Sequence, residues 1–465
     1  MSDSLHSFCR RTFLATAGGG AGMLACAALA ASHEQQTSHR AARAKRVIWL
    51  FMHGGPSHVD LFDPKPALTK YAGQPLPESF GQVMTRRDVA RNPLLAPVRR
   101  FRPRGQSGVP VSDFLPHIGN CIDDLCVIRS LHGDSVNHPQ SVYQMNTGSI
   151  LMGSPSVGSW VSYGLGTENE NMPAFIVMPD PGGGLKGGPA AWGSGYLPAT
   201  FQGVTVRSGT TPIVDLQPSG NISRSQQRRN LNLIQTLNDR HLRQRDQDDQ
   251  LSARIRAYEL AFRMQSEAPE VTDITQESAA TLELYGIDQP HSKEFGTRCL
   301  LARRMIERGV RFVQLYSGDT NGWDAHADVD RNHAEYCLKT DQPIAGLLID
   351  LKQRGLLDDT LVIWGGEFGR MPMSEQGRGR DHNPWGFCAW LAGAGVAGGR
   401  TYGETDDIGL RAAVDPVSIH DFHATVLALM GVDHERLTHF HNGLDKRLTG
   451  PDDARVIHEL AGTSA

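Results

Sequence analysis

A chain of 465 residues with 39% hydrophobic content can bury a large core, and its 46 basic and 50 acidic residues nearly cancel, leaving a net charge of -4; that balance lacks the basic excess of a nucleic-acid binder. Gly at 50 positions and Pro at 26 argue for many ordered loops and against long helical arrays. Seven cysteines, an odd number with no C-x-x-C pair, argue against a disulfide framework and a cysteine zinc site, while 19 histidines are many for this length and raise the question of metal binding or proton transfer.

The first element is an address. "CRRTFLATAGGGAGMLACAALA" places Arg10 and Arg11 before Phe13, Leu14 and a weakly apolar run of Gly and Ala. It resembles a twin-arginine (Tat) export signal, spanning residues 1–30, with Ala28 to Ala30 as the cleavage site. A lipoprotein anchor at Cys26 ranks second, because Met-Leu-Ala before it fits that pattern poorly. The run is too short and too Gly-rich to cross a bilayer, so no transmembrane span is expected in the mature chain. The implied partner is the Tat translocase, and the implied location is periplasmic or extracellular. The Tat route moves folded proteins, which suits a chain loaded with metal beforehand. Residues 31–45, polar and small, read as a linker.

Short apolar runs bounded by turns follow at Arg46–His53, Leu125–Leu131, Pro173–Pro179, Arg311–Tyr316, Thr360–Gly366 and Gly386–Gly393. Such runs read as strands buried on both faces. Helical spacing appears at Glu294–Val310, Leu338–Asp359 (with Gly355 as its stop) and Ser418–Val432. Residues 221–268, rich in Arg, Gln and Asp, read as an exposed helical insertion. Alternating strands and helices predict a single α/β domain over 46–462, with a mostly parallel central sheet flanked by helices.

Ligands in open α/β sheets bind beyond the carboxyl ends of the strands. The residues that follow each predicted strand are therefore the informative ones. His53, Ser57, His58, Asp60 and Asp63 follow the first, and His132, Asp134, Ser135 and His138 the second. The loop "NGWDAHADVDRNH" brings Asp324 and His326 after the fourth, and "GEFGRMPMSEQGRGRDHNPWG" brings Glu367, Arg370, Arg380, Asp381 and His382 after the fifth. His with Asp and Glu, without Cys, suits a divalent ion: zinc first, then manganese, magnesium or calcium. Asp381 can alternatively orient His382 from behind, since a ligating His donates its other N–H to an acceptor. Arg370 and Arg380 are candidates for holding an oxyanion. His420 and His423 read as structural.

"GGPSHVDLFDPKP", "NHPQSVYQMNTGS", "WDAH", "GEFGR", "GRDHNPWGF" and "DFHATVLALMGVD", in that order, resemble the exported bacterial family catalogued as domain of unknown function 1501. "DQPIAGLLIDLKQRGLLDDTLVIWGGEFGR" is similar to the C-terminal half of the alkaline phosphatase and sulfatase superfamily. That resemblance implies an alkaline-phosphatase-like fold and a metal-dependent hydrolase of anionic phosphate or sulfate esters. Mapped by motif, Asp324 and His326 match a first ligand pair, Glu367 stands where the Asp of an Asp-His pair belongs, and His382 matches a trailing His. His53 and Asp60 join this expected ligand set, as does Asp381. The departures are specific. Phe368 replaces the second member of the pair, His53 replaces an Asp, and Cys-x-Pro-x-Arg is absent. The nucleophile position falls at or near His138, with Ser135 and Ser57 as alternatives. The alternative function is a non-catalytic exported protein that keeps the fold and a structural metal site.

Overall fold

A computed structural model describes residues 42–461 except 209–211, 214–215, 217–219, 221, 243–248 and 452. The signal expected at 1–30, and all of the expected linker but its last four residues, lie outside the described residues. β1 (Arg46–Met52) is apolar and buried from its second residue on. Its even positions, Ile48, Leu50 and Met52, pack into one core with Leu300, Ile306, Leu347 and Leu351. Its odd positions, Val47, Trp49 and Phe51, pack into another with Val142, Met145, Trp160 and Phe422. A period of two with both phases apolar is what a strand covered on both faces requires.

The other main strands are β2 (Leu125–His132), β3 (Phe175–Met178), β4 (Val204–Thr205), β5 (Phe312–Ser317), β6 (Thr360–Gly365), β7 (Phe387–Ala392), β8 (Arg400–Tyr402) and β9 (Val417–Ser418). They form one nine-stranded sheet in the order β8-β2-β7-β6-β1-β5-β3-β4, with β9 also on β2. β1 pairs parallel with β5 and β6, and β3 with β5. Only β7 runs against its neighbours, β6 and β2. The architecture is a mixed α/β fold with a mostly parallel central sheet.

The helices used below are α1 (His138–Thr147), α2 (Val157–Leu165), α3 (Arg224–Leu242), α4 (Asp249–Thr272), α5 (Lys293–Glu307), α6 (Val329–Gln353) and α7 (Ile419–Leu429). α1, α2 and α7 cover one face; α5 and α6 cover the other. α6 starts nine residues before the apolar spacing alone suggests. Asp328 caps it by accepting from the Arg331 N–H, and Val329, His333 and Tyr336 supply its buried stripe. The second half of "NGWDAHADVDRNH" is thus a helix start and not a loop. α7 carries a capping box between Ser418 and Asp421. α3 and α4 occupy the segment read as a helical insertion, and Phe262 receives the guanidinium of Arg228 at 5.1 Å. Among the described residues no helix is long and apolar enough to cross a membrane.

The direction of β7 matters for the site. The carboxyl ends of β1, β2, β5 and β6 share one rim. Because β7 is antiparallel, it begins at that rim, so the residues before it arrive where the residues after the others leave. A short ribbon, Gly369–Arg370 against His382–Asn383, fixes this return and sets His382 opposite Arg370.

Candidate metal centre

Asp324 is the hub. Its Oδ1 lies 2.9 Å from His326 Nε2, 3.1 Å from His382 Nε2 and 2.9 Å from Arg370 Nη2. Its Oδ2 lies 3.0 Å from His138 Nε2 and 2.7 Å from Lys186 Nζ. Burial pushes this carboxyl up, but its contacts with the three imidazoles and the Arg370 charge outweigh it and hold it well below the usual carboxylate range.

Each of the three imidazoles is anchored from behind through Nδ1. His138 Nδ1 lies 2.6 Å from Glu367 Oε1, His326 Nδ1 2.5 Å from Glu375 Oε2, and His382 Nδ1 2.6 Å from the Val136 carbonyl. Those partners only accept, so Nδ1 carries the proton in each ring. In the neutral ring Nε2 is then a bare lone pair, and all three point at Asp324. Burial drives His382 well below its ordinary value, which keeps it neutral. A lone pair facing a carboxylate oxygen is repulsive unless a cation lies between them or the ring is charged. His138 Nε2 makes the point: it is buried and, although near Asp324, has no hydrogen bond. Nδ1 anchored and Nε2 aimed at a shared point is how a histidine is prepared for a metal.

Three overlapping sets of side chains bring ligand atoms within 4.8 Å of one another: His53, His138 and Glu367; His138, Asp324 and His382; His326, Asp381 and His382. Glu367 receives the Gly54 N–H at 2.9 Å, and no Lys or Arg pairs with it among the described residues. A buried carboxylate left to imidazoles and one amide is costly, and a divalent ion would offset that cost. The donor set fits such an ion. Phe368 walls the cluster, with its ring 4.4 Å from that of His382 and 4.8 Å from that of His138.

Backbone without side chains lets these segments meet. Gly54 has φ +109°, and a Cβ there would lie 2.4 Å from the Trp323 nitrogen; one on Gly379 would lie 1.6 Å from the His326 carbonyl oxygen. His53 closes the first strand end. Its Nδ1 donates to the Asp319 carbonyl at 2.9 Å, its Nε2 accepts the Lys186 N–H at 3.2 Å, and burial lowers its pKa.

The remaining candidates have other partners as well. Asp60 is fully buried but belongs to a separate knot: it takes Arg380 Nε at 2.8 Å, the Ser57 hydroxyl at 2.5 Å and the Val98 N–H at 2.9 Å. That knot also absorbs Arg380 and Ser57. Arg370 is fully buried too. It donates to the Gly55 carbonyl at 2.8 Å and to the Gly54 carbonyl as well as to Asp324, so it braces the hub from beneath. Ser135 accepts the Asn137 N–H at 3.1 Å in the turn that leads into α1. Asp381 accepts the His382 N–H at 2.9 Å and the Arg87 N–H at 2.7 Å.

Two groups at the cluster have no counterpart among the sequence candidates. Lys186 sits in "GGGLKGG", after β3, and the rule of looking past each strand end applies to it as well. Glu375 lies in "PMSEQGRG" and reads as a loop acid; only the fold reveals that it holds His326. A cavity of about 1120 Å³ lies away from the cluster, lined by Phe175, Phe201, Ile255 and Arg263 among others. The convergent histidines, and not that void, form the candidate site.

Residues 44–461 match a family described as a protein of unknown function, DUF1501. The chain belongs to the DUF1501 family. No curated protein matches this DUF1501 chain. Solved structures similar to it include a phosphonate monoester hydrolase from Silicibacter pomeroyi, at 11% identity over 76% of this chain and 72% of that one, with a TM-score of 0.34. The PsFucS1 sulfatase from Pseudoalteromonas sp. is similar at 11% identity over 84% and 68%, with a TM-score of 0.35. A magnesium-bound variant of TAB5 alkaline phosphatase is similar at 9% identity over 84% and 98%, with a TM-score of 0.36.

Proposed function

We propose that this DUF1501 chain is an exported, metal-dependent hydrolase of phosphate or sulfate esters on an alkaline-phosphatase-like frame. One observation carries the reading: three imidazoles, each anchored through Nδ1, direct Nε2 at the Asp324 carboxylate, and one of those nitrogens is a buried atom without a hydrogen bond. Asp324, His138, His326 and His382 would hold a divalent ion, with His53, Glu367 and Asp381 completing the set. Three imidazole nitrogens favour zinc over manganese, magnesium or calcium. When bound, such an ion supplies Lewis-acid polarisation of an ester oxygen.

The chain's own groups do the rest. Glu367 and Glu375 hold the Nδ1 protons of His138 and His326 and so fix both rings. The contacts with His138, His326 and His382, and after them the Arg370 charge, keep Asp324 ionised. Phe368 keeps water from one side of His138 and His382. Export follows the Tat reading of Arg10 and Arg11.

The test is elemental analysis of the mature protein, purified without chelator, beside Asp324→Ala. Near-stoichiometric metal, lost in the variant, is the expected result and justifies a screen of phosphate and sulfate esters. Absence of metal from both proteins would overturn the reading.

A second reading is a non-catalytic exported protein with a structural metal site. It is favoured by the closure of the cluster, whose His138, His326 and His382 side chains are only 6%, 12% and 0% exposed. Metal-loaded protein inert on every ester class tried would select it.

A further inference from the structure

Two exposed arginines lie at the lip of the His138–His382 pair. The segment 81–92 crosses the rim as an irregular strap. Its base is pinned in a small core, where Val89 is 2% exposed beside Leu94, Met371 and Met373. Trp385 Nε1 also donates to the Met84 carbonyl at 3.4 Å. Consecutive strap residues then dock on both sides of the histidine pair. Arg86 Nη1 donates to Asn137 Oδ1 at 3.3 Å, and the Arg87 N–H donates to Asp381 Oδ2 at 2.7 Å. Asn137 immediately precedes His138 and Asp381 immediately precedes His382, and the two rings lie 4.3 Å apart.

The charges of the strap are not spent. Arg86 meets a neutral amide and has no carboxylate partner among the described residues. Arg87 Nη1 lies 3.4 Å from Glu375 Oε1, but its side chain is 48% exposed and Glu375 already serves His326. Exposed pairs of that kind are weak. Arg86 and Arg87 are neighbours in sequence at this lip, and the forked donors of a guanidinium match the oxygens of a phosphate or sulfate. The buried Arg370, by contrast, is committed to backbone carbonyls and Asp324.

We infer that Arg86 and Arg87 are the substrate-recognition residues, holding a tetrahedral oxyanion over the histidine cluster. This rests on the hydrolase reading above and assigns the group that selects its substrate class. The test is calorimetric titration of the full chain with inorganic phosphate and, separately, sulfate, at low ionic strength. Metal content is measured on every sample. Arg86→Ala is the primary variant because Arg86 hydrogen-bonds a neutral amide, Asn137, and pairs with no carboxylate among the described residues; the Arg86→Ala/Arg87→Ala double variant and Arg86→Lys accompany it.

Expected is a loss of about tenfold in oxyanion affinity for Arg86→Ala, more for the double variant, and only partial recovery for Arg86→Lys, which restores the charge without the fork, all with unchanged metal. Unchanged affinity in the double variant, or no oxyanion binding by the wild type, overturns the inference. Metal lost together with oxyanion binding in Arg86→Ala also overturns it, since the strap would then be only a brace. A wild type without metal that still binds phosphate through Arg86 would sink the hydrolase reading and leave the arginines as an oxyanion site without its substrate role.

Discussion

A single carboxylate, Asp324, gathers the polar groups of this rim, and it was visible in the sequence because it follows a strand within D-x-H. So were His53, His138, Glu367 and His382, for the same reason of position. Asp60 had equal claims on paper, but only the fold shows that Arg380 reaches it first. Lys186 and Glu375 were illegible because nothing local distinguishes them from solvated loop residues. Two further histidines, His333 and His423, lie in the core and define a test of acid stability. Burial holds each at about 3, far below the ordinary value. His333 Nε2 accepts the Ser57 N–H at 2.8 Å, and His423 Nε2 donates to the Met145 carbonyl at 2.9 Å. A histidine depressed in the folded state contributes stability that is intact above its unfolded value near 6.5. That contribution is lost as the pH falls from there toward 3. At pH 5 each costs about 2 kcal/mol. Denaturant melts at pH 7 and pH 5 should therefore differ, and replacing His423 by Gln should shrink the difference. Identical midpoint shifts in variant and wild type would remove His423 from the account.

At the scale of elements, the strand runs were legible because both phases of their period are apolar, and the rim followed from the strand ends. The antiparallel course of β7 was not, since direction leaves no trace in an apolar run. It is set by the chain's return through the Gly369–Arg370 and His382–Asn383 ribbon. The start of α6 was also hidden, because Asp328 and Asp330 look like loop residues until one is seen to be a cap. The tight turn at 375–379 is where an element meets the site: Glu375 and Gly379 exchange backbone hydrogen bonds at 2.7 and 2.8 Å. A Cβ on Gly379 would press into the His326 carbonyl. Gly379→Ala should thus push His326 away from Asp324 and weaken metal binding by roughly 10–100-fold, with little change in far-ultraviolet circular dichroism. Metal affinity equal to the wild type would show that the turn yields without disturbing His326.

For the molecule as a whole, the sheet is the scaffold and the candidate metal ties its loops together. An ion bound only by the folded state adds stability by mass action, about 2.7 kcal/mol at a free concentration near one hundred times Kd. In a chain of this size that is a shift of a few degrees in Tm. Chelator should lower Tm by that amount, zinc should restore it, and Asp324→Ala should show neither effect. A Tm indifferent to chelator in wild type that holds metal would mean the ion lies outside the folded core.

The reversed strand also has a bearing on synthesis. Glu367 meets Gly54 across 313 residues and His138 across 229, and the other two ligand sets wait for His382, just before β7. During translation the earliest ligands leave the ribosome long before their partners exist. An ion lodged at this rim would find its full set of ligands only after the end of the first strand and the approach to β7 have met.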